Sequence, residues 1–162
     1  MPAVAVILCA RDAAATIDTA VESVRAQSFQ DWELILINDG STDATGERML
    51  AHAAADSRIQ VLQQCEKGIV SAFEYGRAHT AAPLIARMDA DDAMLPARLE
   101  RQVEYLNQHP ETGLVSCKVD YGGDRRRQRG YARYVDWVNS LQTPEQIALR
   151  RFIESPIVNP AV

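Results

Sequence analysis

Three carboxylates crowd into four positions within ARMDADDAMLPARLERQ, residues 86–102: Asp89, Asp91 and Asp92. Like charges this close repel, so something positive must offset the crowding. The pattern Asp-x-Asp closes the apolar stretch PLIARM and offers hard carboxylate oxygens, which suit Mg2+ or Mn2+. Mg2+ commonly takes only one or two protein carboxylates and fills its shell with substrate phosphates. A diphosphate held through a metal therefore accounts for the cluster. A plainer reading has Asp91 or Asp92 merely cap a helix starting near Leu95, with Pro96 in its first turn. That reading suits Asp92 better than it suits Asp89 and Asp91 together.

Other chemistries lack their residues. No GxGxxG follows the first apolar run, which argues against an NAD site, and no GxxxxGK[ST] is present for a P-loop. DADDAMLPARLE lacks the third ligand and the sixth-position glycine of an EF-hand. Cys9, Cys65 and Cys117 are far apart, without CxxC or Cys/His spacing, and are expected to be reduced and buried in a cytosolic protein. His52, His79 and His109 fall singly on expected helices, without zinc-type spacing.

The elements that must position these carboxylates alternate. VAVILC (4–9), ELILIN (33–38), RIQVLQ (58–63), PLIARM (83–88) and TGLVSCKV (112–119) read as strands. Between them, DAAATIDTAVESVRAQS, STDATGERMLAHAAAD, GIVSAFEYGRAHTA and LPARLERQVEYLNQH read as helices, the second capped by Ser41 or Thr42 with Asp43 in its first turn. Alternating apolar strands and helices give an α/β, doubly wound, mainly parallel sheet with helices on both faces over residues 1–119. Ligands of such sheets bind beyond the carboxyl ends of the strands. Arg11 and Asp12, then Asn38, Asp39 and Ser41, then Glu66 and Lys67, then Asp89, Asp91 and Asp92 all fall at those ends.

After residue 120 the character changes. DYGGDRRRQRGYARYVDW is polar, basic and aromatic, and RRRQR reads as a solvated loop rather than a phosphate patch. TPEQIALRRFIE starts a helix, with Thr143 as cap, Pro144 in the first position and Gln146 completing a capping box. ESPIVNPAV carries two prolines and reads as a cut end without a closing element.

The totals agree with one globular domain or a fragment of a larger protein: 162 residues, 47% hydrophobic and 24% charged. A net charge of −5 gives no electrostatic case for nucleic acid. No apolar run reaches the roughly 18–20 residues of a membrane span. MPAVAVILCARD lacks a basic leader and reads as a buried strand rather than a signal peptide.

LINDGSTDAT (36–45), KGIVSAFEYGRAHTA (67–81) and IARMDADDAMLPARLERQVEYL (85–106) together resemble the family 2 glycosyltransferases of the GT-A, Rossmann-like fold, from about Val4 to about Val119. NDGSTD alone is moderately specific; joined to MDADD at this distance it is strong, and ESP adds a weaker feature. The resemblance implies a nucleotide-sugar donor, UDP-linked, with Mn2+ or Mg2+. It implies metal-assisted, inverting transfer to a hydroxyl of a glycan or lipid-linked acceptor, in cell-surface polysaccharide biosynthesis. Ala10 and Arg11 are expected by the nucleoside, Asp39 on the base, Asp89 on the ribose and Asp91 on the metal. Lys67 is the candidate for the base or phosphates.

The base that deprotonates the acceptor lies well beyond Asp-x-Asp in such enzymes. It is expected after Val162, since Glu154 precedes that position. Residues 1–119 are thus the expected donor domain and 120–162 the start of an acceptor side, in a chain inactive by itself and prone to self-association. A cytoplasmic location, peripheral to the inner face of a membrane, follows. A sugar nucleotidyltransferase is the runner-up, opposed by the absence of a glycine-rich basic loop at CARDAAATID. A non-catalytic nucleotide-sugar-binding fragment is the non-enzyme alternative.

Overall fold

The computed structural model describes residues 1–162. The chain runs β1 (Val4–Ala10), α1 (Ile17–Arg25), β2 (Trp32–Asp39), α2 (Thr45–Ala55), β3 (Ile59–Gln64), α3 (Ile69–Arg77), β4 (Leu84–Asp89) and α4 (Arg98–Gln108). Then come α5 (Arg129–Ser140), α6 (Pro144–Arg150) and a 3-10 turn, Asn159–Ala161. The four strands are parallel in the order β3-β2-β1-β4.

Apolar runs rather than alternation built these strands because both faces are covered. Val4, Val6, Leu8, Leu34 and Leu36 pack with Ile17, Val21, Val24, Met49 and Leu99 of α1, α2 and α4. The opposite residues, Ile7, Cys9, Ile35 and Ile37, pack on Ala72 of α3. The order reverses at β1, so β1 and β4 flank a topological switch, the place in such sheets where ligands bind at the carboxyl ends.

Residues 112–119, expected as a fifth strand, form none. A strand needs a neighbouring edge, and the outer edge of β4 is occupied otherwise: the Arg87 N–H donates to the Val162 carbonyl at 2.7 Å. An apolar cavity of about 310 Å3, lined by Leu84, Ile85, Leu106, Leu114 and Val115 among others, separates the two segments. Asn139 of α5 satisfies the stranded backbone instead, accepting from Val119 N–H at 3.0 Å and donating to its carbonyl at 2.8 Å. The segment ESPIVNPAV thus runs back to the outer edge of β4. Gln102 Nε2 and Arg98 Nη2 also donate to the Ala161 and Val162 carbonyls, at 2.8 and 2.7 Å.

RRRQR stays exposed, but α5 follows directly, burying Ala132 and Val138. Helix α6 has the expected capping box, with Gln146 N–H donating to Thr143 Oγ1 at 3.3 Å and Thr143 N–H to Gln146 Oε1 at 3.2 Å.

Candidate functional site

Because the strands are parallel and in register, their carboxyl ends form one edge. Ala10 lies opposite Asn38, Asp39 opposite Gln64, and Asp89 opposite Cys9. Side chains alternate along each strand, so Asp39 and Asp89 emerge on the same face, the one covered by α3. Sequence position alone predicted that both reach the edge. The shared face follows from the register.

Asp39 is 5% exposed and held by the end of β3 and the β3–α3 loop. Its Oδ1 accepts from Gln64 Nε2 at 2.7 Å and from the Lys67 N–H at 2.9 Å, and its Oδ2 from the Gly68 N–H at 2.9 Å. Burial opposes its charge, but the Lys67, Gln64 and Gly68 bonds outweigh it and hold its pKa below the usual carboxylate range. An ionised carboxylate has about four acceptor positions, so one remains beside Gly68. Lys67 meets Asp39 through its backbone, and its side chain is exposed. Arg11, at the end of β1, forms an ion pair with Glu66 across this loop.

The rest of NDGSTDAT holds two loops together. Asn38 Oδ1 accepts from the Ser41 N–H at 3.0 Å. Asp12 accepts from the Thr42 N–H at 2.7 Å, while its own N–H donates to Ser41 Oγ at 3.1 Å. Ala13 and Ala14 N–H donate to Thr45 Oγ1 and Asp43 Oδ2 at 2.8 and 3.0 Å. The α2 start is therefore served by Asp43, whose Oδ1 accepts from the Thr45 N–H at 2.9 Å, and not by Ser41 or Thr42. Gly40 is required twice over: its φ is +73°, and a Cβ there would lie 2.8 Å from the Glu66 nitrogen.

One positive charge stands beside the aspartate crowd, Arg87, two residues upstream of Asp89 on the same strand face. Its Nε lies 3.6 Å from Asp89 Oδ1. Partial burial, followed by the Asp91 charge, still leaves the Asp89 pKa raised against the opposing pull of Arg87. Asp92 is also pushed up, by surrounding protein and then by Asp91 and Asp89. Asp92 caps no helix: α4 begins at Arg98 without a side-chain cap from it. That turn is instead fixed by Gln27, just past the end of α1 and 1% exposed, which accepts from Leu99 N–H at 3.0 Å and donates to the Leu95 carbonyl at 2.9 Å. Ser23 Oγ accepts from Met94 N–H at 3.0 Å. Neither Gln27 nor Ser23 stood out in the sequence, because a polar residue on an amphipathic helix or just past its end has no distinguishing pattern.

Cys9 lies beneath the site, its thiol pushed up to about 12 by burial, with Arg87 opposing and Asp89 and Asp39 adding. Cys65 and Cys117 are exposed, contrary to expectation: Cys65 comes just after β3, and Cys117 lies within the 112–119 run that pairs with no strand. Glu154 bonds the neighbouring Ser155 N–H at 2.9 Å, on an exposed segment.

No group of three or more His, Cys, Asp or Glu side chains encloses an ion-sized site. The donor set fits a divalent cation all the same. Asp91 is exposed just past the end of β4, beside half-buried Asp89. Oxygen donors this few suit an ion that completes its shell with phosphate rather than a closed protein cage.

Sequence comparison decides the family: the "Glycosyl transferase family 2" profile matches residues 5–159. The chain belongs to glycosyltransferase family 2. Among its relatives, a Bacillus subtilis (strain 168) protein named provisionally as glycosyltransferase EpsE is 37% identical over 116 residues, 70% of this chain and 42% of that protein. An uncharacterized glycosyltransferase of Haemophilus influenzae is 35% identical over 109 residues, 67% of this chain and 34% of its own length. The chain thus spans less than half of these family 2 relatives. The mannosyltransferase PcManGT from Pyrobaculum calidifontis, solved with GDP-Man and Mn2+, superposes at a TM-score of 0.68, covering 74% of this chain and 36% of that one at 23% identity. S. aureus TarS 1–349 with UDP gives 0.62, covering 68% of this chain and 33% of that one at 18% identity. These likenesses establish the GT-A fold of the family 2 chain.

Proposed function

We propose that this chain binds the nucleoside-diphosphate sugar, UDP-linked, of a glycosyltransferase that moves the sugar to a hydroxyl of a glycan or lipid-linked acceptor with inversion. The observation that carries the reading is the delivery of Asp39 and Asp89, from β2 and β4, to one face on either side of the β1 end. Asp39, with its remaining acceptor position, takes an N–H of the base. Ala10 and Arg11 line the nucleoside, and Asp89 accepts from the ribose hydroxyls. Lys67 offers an exposed ammonium to the base or phosphates. Asp91 holds Mn2+ or Mg2+, which when bound supplies Lewis-acid neutralisation of the diphosphate.

In the transfer, the acceptor oxygen bonds to the anomeric carbon as that carbon's bond to phosphate breaks. The electron pair leaves with the nucleoside diphosphate, and the acceptor proton passes to a general base. Neither Glu154 nor Glu145 is assigned as that base, because the first is bonded to its neighbour and the second sits in the first turn of α6. The division we favour is a donor domain over residues 1–119, with residues 120–162 beginning the acceptor side. Exposed Leu149, Phe152 and Ile153 near α6 support self-association of the isolated chain.

The test is calorimetric titration with UDP, with and without Mn2+. Binding by the wild type should need the metal, and Asp91→Asn should lose about 2–4 kcal/mol of metal-dependent affinity, the scale for removing one partner of a charge pair. Equal Mn2+-dependent binding by the two proteins refutes the assignment of Asp91.

A further inference from the structure

We infer that Arg87 is a positioning residue for Asp89: braced on the Phe73 ring, its guanidinium holds the Asp89 carboxylate in the orientation that meets the donor's ribose hydroxyls. The inference rests on the donor-binding function proposed above. Arg87 and Asp89 are alternate residues of β4 and share the α3-covered face. No other basic side chain forms an ion pair with Asp89, Asp91 or Asp92. The Nε–Oδ1 separation of 3.6 Å is longer than a hydrogen bond, so the pair acts as a charge contact that leaves the carboxylate free to accept from a ligand.

The root of the arginine is fixed. Its N–H donates to the Val162 carbonyl at 2.7 Å, and its carbonyl accepts from Arg98 Nη2 at 3.2 Å. Its far end is fixed too, with the guanidinium carbon 5.8 Å from the centre of the Phe73 ring, within cation–π range. Both residues of the pair are about a quarter to a third exposed at their side chains, so the charges are less screened than at an open surface. Without Arg87, Asp89 would face Asp91 with no counter-charge and would turn away toward water. A group held this way contributes to ligand recognition by orientation, and only toward the ligand atoms that Asp89 meets.

The test titrates UDP and 2′,3′-dideoxy-UDP, each with Mn2+, into wild type, Arg87→Met and Arg87→Lys. Met keeps the length and the contact with Phe73 but removes the charge; Lys keeps the charge but lacks the planar fork. The wild type should prefer UDP. Arg87→Met should lose about tenfold in UDP affinity and little toward the dideoxy analogue, so the preference collapses, and Arg87→Lys should fall between. A general structural defect would weaken both ligands alike. An unchanged preference in Arg87→Met, or an equal loss for both ligands, overturns the inference. Should Arg87→Met not fold, a wild-type preference in Arg87→Lys overturns it. A wild type that binds neither nucleotide refutes the donor-binding function, and this inference with it.

Discussion

Asp39 has two roles that pull against each other in any mutagenesis. Three of its acceptor positions shape the β3–α3 loop, and the fourth is the one proposed to read a base. Removing the carboxylate strands three donors, at a cost of roughly 1–3 kcal/mol in stability. Asp39→Asn is the cleaner probe, because it keeps one oxygen for the loop. It should still fold, and its preference for UDP over ADP in competition titrations should drop about tenfold, since a polar group made for one ligand rejects another by being left unpaired. An unchanged preference in the folded variant would remove Asp39 from the base. Cys9 offers a second residue-level check. Its pKa of about 12 and its burial make it inert, whereas Cys65 and Cys117 are exposed. Iodoacetamide at pH 8 should modify Cys65 first in the native protein and Cys117 more slowly, since burial pushes the Cys117 thiol up, and mass spectrometry should find Cys9 modified only after unfolding.

At the scale of elements, the site is an assembly of loops that brace one another. Gly40 lets the β2–α2 loop pass against Glu66, and Asp12, Asp43 and Thr45 tie that loop to the β1–α1 loop. Gly40→Ala should therefore cost about 1–3 kcal/mol, from its left-handed backbone and from backbone crowding that no rotamer can relieve. Urea unfolding would read the loss, and a cost within error of zero would mean the loops do not touch as described. The strands β1 to β4 and helices α1 to α4 were legible because each apolar run or periodic face is covered locally. The strand expected at 112–119 was not, because the same apolar run can be covered by side chains without a paired edge. Helix α5 was hidden by its arginines and tyrosines, although Ala132, Val135 and Val138 recur at helical spacing. Within the site, Asp39, Asp89, Asp91 and Arg11 could be found from their places at strand ends. Arg87 and Gln27 could not, since one is read from strand register and the other from contacts that the turn after α1 makes with a distant segment.

For the whole molecule, the doubly wound sheet makes one edge chemically different from every other surface. Four strands deliver polar loops there, while the opposite side of β4 carries an apolar cavity and the α6 end carries exposed Leu149, Phe152 and Ile153. No helix is long and apolar enough to cross a membrane. The central claim is that the donor binds at the carboxyl edge by β1 and β4, and the location of binding tests it most directly. Amide chemical shifts of the labelled chain, followed during titration with UDP and Mg2+, should move first at Arg11, Gly68, Ala90 and Asp91, with α5 and α6 unaffected. Shifts concentrated instead at Leu106, Leu114 and Val115, or along α5 and α6, would contradict the account.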